Sequence, residues 1–308
     1  MDLMPNTEAV AGPGTAVRIE RVLCPIDFSE VSLKAFRCAQ SIAVHYRAPL
    51  VIQHVVEMWQ HPTADFCVSA DAYDGFRRSL VSQAEENLRE FVETSGGLRP
   101  ERIVQESAAA DAILCFARER AISLIVLGTH GRRGVDRAML GSVTERVLRH
   151  ATCPVLAIRH TDADFSKPDT PDDPVLVRRV LCCVDFSAHS RRASEYALSA
   201  AASYDAEVTF LHVLDGEPNS ADIGKDSAVA MENLQKLIPP PARASAGTHI
   251  EVRLGKAYQE ILKFASEAKS DLIVTGVRGR HSLDLAVFGS TTYRVIQLGA
   301  VPVLTVPI

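Results

Sequence analysis

The sequence predicts an α/β protein in which two doubly wound, parallel five-stranded sheets follow each other along the chain. Three observations lead to this prediction. The chain has 308 residues, its two halves share motifs in register, and short apolar runs alternate with helical patterns. A chain of this length suits about two domains. Apolar runs that are continuous rather than alternating are typical of parallel strands covered by helices on both faces.

The repeat is visible when the two halves are aligned. The segment 23–29 (LCPIDFS) matches 181–187 (LCCVDFS) at an offset of 158 residues, and the His-Val pair at 54–55 matches that at 212–213 at the same offset. A glycine motif recurs at an offset of 148 residues, so the second copy is shorter by 10 residues between its second strand and that motif. We expect loops to absorb the difference, because loop length changes the free energy of folding only slowly.

Each copy is predicted to read β-α-β-α-β-α-β-α-β, which implies right-handed crossovers and an open sheet. Strands are expected near 18–26, 50–56, 101–105, 122–127 and 154–159, and then near 178–184, 207–213, 248–254, 271–275 and 302–306. Ser29 and Ser187 stand where a serine can cap the first helix of each copy. One buried stripe of that helix in the first copy is marked by residues at helical spacing: Val31, Ala35, Cys38, Ala39, Ile42 and Ala43.

Composition along the chain predicts the domain boundaries. Residues 1–16 are predicted to form a flexible N-terminal tail, 17–160 the first domain, 161–176 the linker and 177–308 the second domain. The stretch His160 to Pro174 holds three prolines and five aspartates, as expected of a linker. The tail has neither the basic nor the apolar region of a secretory signal, so we expect no such signal.

Bulk composition excludes several classes of partner. The net charge of −5 argues against non-specific nucleic-acid binding, which needs a basic face. No apolar stretch reaches the length of a membrane span. The seven cysteines show no zinc spacing and lie mostly in apolar runs, which predicts reduced core residues in a cytoplasmic protein. We therefore expect neither a nucleic-acid nor a membrane partner.

The glycine motif G-x2-G-x9-G-S occurs once in each copy and carries the functional prediction. Each set follows a short apolar run and precedes a helical pattern. Glycine lets the backbone approach a ligand closely, and a helix start offers free N–H groups to phosphate. Two complete sets in matching context predict a duplicated nucleotide-binding chain rather than plain turns. The members are Gly128, Gly131, Gly141 and Ser142, and in the second copy Gly276, Gly279, Gly289 and Ser290.

Further candidates lie beside these motifs. Asp27 and Asp185 end the first strand of each copy. They could contact the nucleotide, hold Mg²⁺ beside its phosphates, or serve only as carboxylates at a helix start. His54 and His212 lie in apolar strands, which favours structural histidines over catalytic ones. The arginines of the glycine loops could neutralise phosphate charge or simply lie in solvent: Arg132, Arg133, Arg278 and Arg280.

The sequence shows no recognisable catalytic machinery. It contains no G-x4-G-K-[ST], no H-E-x-x-H, no G-x-S-x-G and no kinase signature. No general base near a γ-phosphate can be identified, although efficient hydrolysis needs a positioned water. The catalytic residues therefore stay unassigned, and we do not expect a dedicated enzyme.

Taken together, these features resemble the universal stress protein family in its tandem form, over nearly all of 18–308. The carriers are the IDFS and VDFS segments, the two His-Val pairs, both glycine motifs, and the closing Pro-Val-Leu strands at 154–156 and 302–304. The resemblance implies a flavodoxin-like or Rossmann-like sheet of the adenine nucleotide alpha hydrolase type, with ATP across the carboxyl ends of strands one and four. It also implies that the last strands of the two copies pair, which makes an intrachain pseudo-dimer.

The resemblance further implies roles for individual residues. The motif glycines and serines would wrap the phosphates and ribose, and the main chain of Val55 and Val213 would meet adenine. In that family the glycine spacing marks the members that bind ATP. The first copy departs from the pattern at two places, with Ser107 opposite Gly255 and Ser123 opposite Asp271, which puts full equivalence of the two sites in doubt.

Three functions remain open from the sequence. The first is an ATP-binding regulator of a stress response, with slow or no hydrolysis, an unknown protein partner and a possible homodimer. The second is a weak ATPase or autophosphorylating enzyme that uses the aspartates and Mg²⁺. The third is an interaction module with vestigial sites. The intact glycine motifs favour the first, and a related adenine nucleotide could replace ATP.

Overall fold

The structure, a computed structural model, describes residues 17–58, 70–95, 98–130, 140–159, 177–215, 223–278 and 289–308. The first half contains β1 (Val22–Pro25), α1 (Glu30–Tyr46), β2 (Leu50–Val56), α2 (Ala70–Ser95), β3 (Glu101–Glu106), α3 (Ala109–Glu119), β4 (Leu124–Gly128), α4 (Ser142–His150) and β5 (Val155–Ile158). The second contains β6 (Arg179–Cys183), α5 (Ala188–Tyr204), β7 (Glu207–Leu214), α6 (Ile223–Leu237), α7 (Pro240–Arg243), β8 (Thr248–Leu254), α8 (Ala257–Glu267), β9 (Leu272–Gly276), α9 (Ser290–Leu298) and β10 (Val303–Val306). The predicted tail (1–16) and linker (161–176) lie outside the described residues.

The predicted alternation of strands and helices is confirmed, with two differences in the second half. A short helix, α7, stands between α6 and β8. The prediction that loops absorb the length difference between the copies was wrong in part, because α2 has 26 residues and α6 only 15. Trimming an exposed amphipathic helix by whole turns removes solvent-facing surface and leaves the strands that it covers in place.

The strands form one continuous sheet of ten strands in the order β3-β2-β1-β4-β5-β10-β9-β6-β7-β8. Within each half all described pairings are parallel. The predicted doubly wound architecture is therefore confirmed for both copies. In each half the second and third strands lie on one side of the first strand, and the fourth and fifth lie on its other side. The direction of winding therefore reverses between β1 and β4 in the first half and between β6 and β9 in the second.

The two halves join through their last strands. β5 and β10 pair antiparallel, with Leu156 opposite Leu304 at the centre of the register. These two leucines are equivalent in the repeat, so the pseudo-twofold axis passes between them. Because the pairing is antiparallel, the carboxyl ends of the strands in one half lie at the opposite edge of the sheet from those in the other. The expected intrachain pseudo-dimer is present.

Two apolar layers cover the sheet, and each contains residues from both halves. One layer packs α1, α2, α5 and α6 onto the sheet, and its fully buried members include Phe36 and Phe210. The other packs α3, α4, α8 and α9 onto the opposite face, and its deeply buried members include Val147 and Val295. Burial of this kind is the main favourable term in folding, and here it runs without a break across the junction.

All described cysteines are free thiols, and all but one are buried, as the predicted core role requires. Burial raises the pKa of the Cys153 and Cys182 thiols to about 12, which keeps them protonated and unreactive. Cys115 is exposed, and the prediction was wrong for it, because its side chain lies on the outer face of α3 and contacts Glu119 at 3.0 Å. Cys67 lies outside the described residues. The other free, buried thiols are Cys24, Cys38 and Cys183.

No helix in the described ranges is long and apolar enough to cross a membrane.

The C-terminal ends of α1 and α5 meet across the pseudo-twofold axis. His45 Nε2 lies 2.6 Å from Ser203 Oγ, and the His45 ring stacks on Tyr204 with centroids 3.9 Å apart. His45 and Ser203 occupy the same position in the repeat, so this contact joins equivalent places through different side chains.

The contact makes stability depend on pH. Burial lowers the pKa of His45 below its ordinary value of 6.5, and the hydrogen bond with Ser203 opposes this only in part. The unfolded chain therefore binds more protons than the folded one as pH falls through 6.5. The stabilising contribution is complete above that pH and is lost below it.

We expect the melting temperature to fall between pH 7.5 and pH 5.5, and to fall less in His45→Gln, which keeps a hydrogen-bonding group but cannot be protonated. Thermal unfolding followed by circular dichroism at a series of pH values measures this. His189, whose pKa is also lowered, is left in place in both proteins and cancels in the comparison. An identical pH dependence in the two proteins would show that His45 does not contribute.

Candidate functional site

The candidate sites lie at the carboxyl ends of β1 and β4 in the first half, and of β6 and β9 in the second. β1 pairs with β4 through Val22–Leu124 and Leu23–Ile125, and β6 pairs with β9 in the same parallel sense. The connections leave these strands in opposite directions, which opens a crevice at the sheet edge. Since the halves run antiparallel, the two crevices lie on opposite edges of the ten-stranded sheet.

Asp27 and Asp185 are fixed at these edges by a tight turn. Asp27 Oδ1 accepts hydrogen bonds from Ser29 N at 3.0 Å and Ser29 Oγ at 2.6 Å, and Asp185 Oδ1 accepts one from Ser187 N at 3.0 Å. The same serines accept bonds from the backbone of their helices, so the predicted N-caps are confirmed. Hydrogen bonds to one oxygen of each carboxylate, Oδ1, therefore fix the position of the side chain in the turn.

The turn stores backbone strain in both copies. The residues after the two aspartates, Phe28 and Phe186, have φ values of 64° and 63°, in the left-handed region that bulky residues rarely adopt. A conformation of this kind costs about 1–3 kcal/mol and persists only where the surroundings impose it. Its occurrence at the same place in both halves marks this turn as a feature of the site.

His54 and His212 help to impose that conformation. His54 Nδ1 lies 2.7 Å from the carbonyl oxygen of Ile26, and His212 Nδ1 lies 2.6 Å from that of Val184. A carbonyl only accepts, so Nδ1 carries the proton. Each ring also contacts the strained phenylalanine, with centroids 4.5 and 4.6 Å apart. The structural interpretation of these histidines is supported: they hold the strand-to-turn junction.

Val55 and Val213 follow the two histidines near the ends of β2 and β7. Both are half-buried, and their backbones belong to the sheet ladder opposite Gln105 and Arg253. They thus stand one strand away from the aspartates, at the same edge. This placement is compatible with the expected main-chain role toward adenine, and it also suits an ordinary core position.

The first glycine of each motif is required by helix packing. A Cβ placed on Gly128 would lie 2.8 Å from Val31 Cγ1, and one on Gly276 would lie 2.6 Å from His189 Cβ and 2.9 Å from the His189 carbonyl carbon. These neighbours belong to the first turns of α1 and α5. The absence of a side chain therefore lets the capped helix approach the end of the strand, one of the known roles of glycine in such folds.

The third glycine and the serine of each motif form a helix start without a side-chain cap. Gly141 is the N-cap of α4 and Gly289 that of α9, and neither helix has a side-chain cap bond. The exposed Ser142 and Ser290 are the first residues of these helices. By contrast, the side chains of Ser29 and Ser187 cap the N-termini of α1 and α5. An uncapped helix start presents N–H groups and a partial positive charge to an anion.

A buried threonine in each copy holds this helix start against its strand, which sequence reasoning missed. Thr144 Oγ1 donates to the Gly128 carbonyl at 2.8 Å, and Thr292 Oγ1 donates to the Gly276 carbonyl at 3.0 Å. The sequence contains a signal for this role, because both threonines stand three residues after the last glycine of the motif and match at the offset of 148. They fix the distance between the strand end and the start of the following helix.

The structure brings together only part of each predicted motif. Gly131, Arg132, Arg133, Gly279 and Arg280 lie outside the described residues. Arg278 is described and acts electrostatically on His189. The equivalent position in the first half is His130, whose Nδ1 lies 2.9 Å from Thr129 Oγ1.

His189 is a site residue that sequence reasoning did not single out. It occupies the position of Val31 in the repeat and lies at the first turn of α5, against Gly276. Burial lowers its pKa, Arg278 lowers it further, and Asp185 opposes both. The alignment of the halves at the offset of 158 places the ionisable His189 opposite Val31, but the two helices differ at many other positions, so the alignment alone does not single it out.

One of the two departures of the first copy, Ser123 opposite Asp271, lies away from the candidate site. Ser123 Oγ accepts from the backbone N–H groups of Glu20 and Arg21 at 2.8 and 2.9 Å, and Asp271 accepts the equivalent bonds from 178 and 179. Serine thus replaces aspartate in the same task, at the amino end of the strands and away from the crevice.

The other departure concerns backbone conformation. Gly255 has a φ of +140°, whereas the φ of Ser107 is not positive. The Gly255 N–H donates to the Leu214 carbonyl, and the Ser107 N–H donates to the Val56 carbonyl. The loop after β3 therefore differs in shape from that after β8, although its anchoring bond is the same.

Within the described ranges, no group of three or more histidines, cysteines, aspartates or glutamates is arranged to hold a metal ion. An ion at either crevice would need most of its ligands from phosphate and water, as is usual for Mg²⁺.

Comparison with known proteins places the chain among relatives of the predicted kind. The model of the Universal stress protein family matches residues 18–159 and again 177–307. A universal stress protein of Mycolicibacterium smegmatis is 22% identical over 294 residues, covering 92% of this chain and 96% of the relative. Universal stress protein Mb2028c of Mycobacterium bovis is 30% identical over 236 residues, covering 74% and 75%.

A solved structure shows the same fold. The crystal structure of a universal stress protein from Archaeoglobus fulgidus aligns with a TM-score of 0.63 at 23% identity, covering 93% of this chain and 98% of that one. The tandem arrangement of the two copies is thus confirmed by the family matches and by a full-length structural alignment.

The packing of the first motif glycine generates a stability prediction. We expect Gly276→Ala to destabilise the second half by about 1–3 kcal/mol, since the new methyl group meets the backbone of α5. Denaturant unfolding measures the change. Gly75→Ala in the second turn of α2, an exposed position where nothing lies within 4 Å, is the matched control and should stabilise by about 0.5–1 kcal/mol. A neutral Gly276→Ala would mean that α5 does not approach β9 so closely.

Proposed function

The chain belongs to the universal stress protein family, and from this premise we propose that it binds an adenine nucleotide, ATP in the first place, at the carboxyl edge of each half. We further propose that the nucleotide is a regulatory ligand in a stress response and is hydrolysed slowly or not at all. The observation that carries the proposal is the uncapped start of α4 and α9 beside a strand end and a fixed carboxylate, present in both halves.

The described residues fit a polyphosphate. The first-turn N–H groups of α4 and α9 supply donors, and the helix dipoles add partial positive charge, which together favour an anion. Ser142 and Ser290 are exposed at the same helix starts and can donate from their hydroxyls. In the second half Arg278 adds a full positive charge. The triphosphate would lie along these groups, held by the chain's own donors.

The remaining groups suit the nucleoside. Asp27 and Asp185 follow the strands that pair with β4 and β9, which lead to the helix starts, and a carboxylate can accept from a hydroxyl or amino group. The strained turn fixes the position of each carboxylate. The main chain at Val55 and Val213 lies at the same edge, in keeping with a role toward adenine. Mg²⁺ would accompany the phosphates, and its binding through the aspartates stays a prediction.

Hydrolysis finds little support in the described residues. His54 and His212 use Nδ1 to hold a backbone carbonyl, so they act as structural parts of the turn. A nucleotide held by donors without a positioned base and water turns over slowly. The ATPase or autophosphorylating alternative therefore stays a hypothesis, as does the interaction module with vestigial sites. A cytoplasmic location, a homodimer and an unidentified protein partner likewise stay predictions.

The first test identifies what the purified protein carries. We expect denaturation followed by ion-exchange chromatography to release ATP at about two molecules per chain, because both halves have the same helix start and turn. A ratio of one would mean inequivalent sites, and ADP would favour hydrolysis. Release of no nucleotide, together with no thermal shift on adding ATP and Mg²⁺, would contradict the proposal and favour the interaction module.

The second test removes the fixed charges. Asp27→Asn and Asp185→Asn keep an acceptor for the serine N–H but lose the carboxylate charge, so the turn should survive. We expect ATP to bind about ten-fold more weakly at the altered half, the usual loss for a hydrogen bond to a charged group. Equilibrium dialysis gives the affinity, and an unchanged melting temperature shows that the fold is intact.

A matched control makes the same change away from the crevices. Asp205 caps the end of α5 with φ 52°, a conformation that asparagine tolerates well. Asp205→Asn should leave ATP affinity unchanged. If all three variants bind ATP like the unaltered protein, the aspartates have no part in binding and the site must be sought elsewhere on the sheet edge.

A further inference from the structure

The two candidate sites differ at one position where the helix meets the motif glycine. In the first half that position is Val31, which is buried and packs on Gly128. In the second it is His189, which is half-buried and packs on Gly276. Gly276 is the last residue of β9, so the imidazole stands at the strand end where the phosphate-binding motif begins.

The charged surroundings of His189 come from the elements that form the crevice. Asp185 acts on it from the turn after β6, and Arg278 acts on it from the segment after β9. On its own helix the nearest cations by sequence are Arg191 and Arg192, and Arg192 is paired with Glu195. Among the described residues, His189 thus packs on the motif glycine and lies within the electrostatic influence of both Asp185 and Arg278.

We propose that His189 contacts the bound nucleotide in the second half and gains a proton when the anion binds, so that this site responds to pH through a residue that the first half replaces with valine. The inference rests on the proposed function, since it assigns a specificity role within the same nucleotide site. The ligand class is a nucleoside polyphosphate, whose negative charge stabilises an imidazolium ion.

The electrostatics of the protein without ligand determine whether nucleotide affinity rises or falls with pH. Burial and Arg278 lower the pKa of His189, so near neutral pH its imidazole is neutral without ligand. A polyphosphate offsets the charge of Arg278 and favours the protonated ring. Linkage then requires that nucleotide binding at this half strengthens as pH falls. Valine at position 31 supplies no such coupling in the first half.

The experiment reads the imidazole directly. Histidine side-chain NMR spectra of the full chain are recorded from pH 5 to pH 8, with and without ATP and Mg²⁺, and the His189 signal is identified by its loss in His189→Val. We expect ATP to raise the pKa of His189 by about one unit, which corresponds to about a ten-fold gain in affinity over the full titration. ATP binding is measured in parallel by equilibrium dialysis.

Three variants separate charge from shape. His189→Val reproduces the side chain of the first half and should fold, and it should remove one component of the pH dependence of ATP affinity. His189→Gln keeps a hydrogen-bond donor but cannot be protonated, and it should also lose that component. The matched exchange, Val31→His, should add a pH-dependent component to the first half. The titration of ATP itself is common to all variants and cancels.

The outcomes distinguish this inference from the proposed function. If ATP binds but the pKa of His189 stays where it was, the inference is overturned and nucleotide binding stands. If His189→Val has the same pH dependence as the unaltered protein, the inference is overturned as well. If dialysis detects no ATP at either half at any pH, the proposed function itself fails, and the inference fails with it.

Discussion

The antiparallel pairing of β5 with β10 is the contact on which the rest of the architecture depends. Without it, each half would present an unpaired apolar strand, the kind of edge that promotes aggregation. With it, the two apolar layers continue across the junction, and Thr305, which is fully buried, donates its hydroxyl proton to the Val155 carbonyl at 3.2 Å. The same pairing reverses the direction of the second half, and this reversal is what sends the two crevices to opposite edges of one sheet.

The fold could be predicted from the sequence almost completely, because apolar runs and the repeat report local and duplicated features. Serine caps, strand order and the pairing of the last strands followed from these patterns and from the resemblance. What could not be predicted depends on tertiary distance. Nothing local in the sequence shows that Gly276 is needed for the approach of α5, that Cys115 faces solvent, or that Ser123 performs the task of Asp271.

The candidate site shows the same division. The aspartates, the first and third motif glycines and the serines were found from spacing, since the same residues recur in both halves at a constant offset. The strained Phe28 and Phe186, the buried threonines and His189 were not found, because their importance lies in a backbone angle, a hydrogen bond or a neighbour. One architecture therefore supports two candidate sites that share the strained turn and the uncapped helix start and differ in charge.

Joining the two copies in one chain has a consequence for how they can change over time and respond to dilution. Two separate chains would associate according to their concentration, whereas tethered halves meet at a fixed effective concentration and stay paired however dilute the protein becomes. Symmetry is then no longer enforced, since a mutation enters one half alone. The His45–Ser203 contact, which joins equivalent positions through unlike side chains, is an arrangement that a symmetric pair of identical chains could not make.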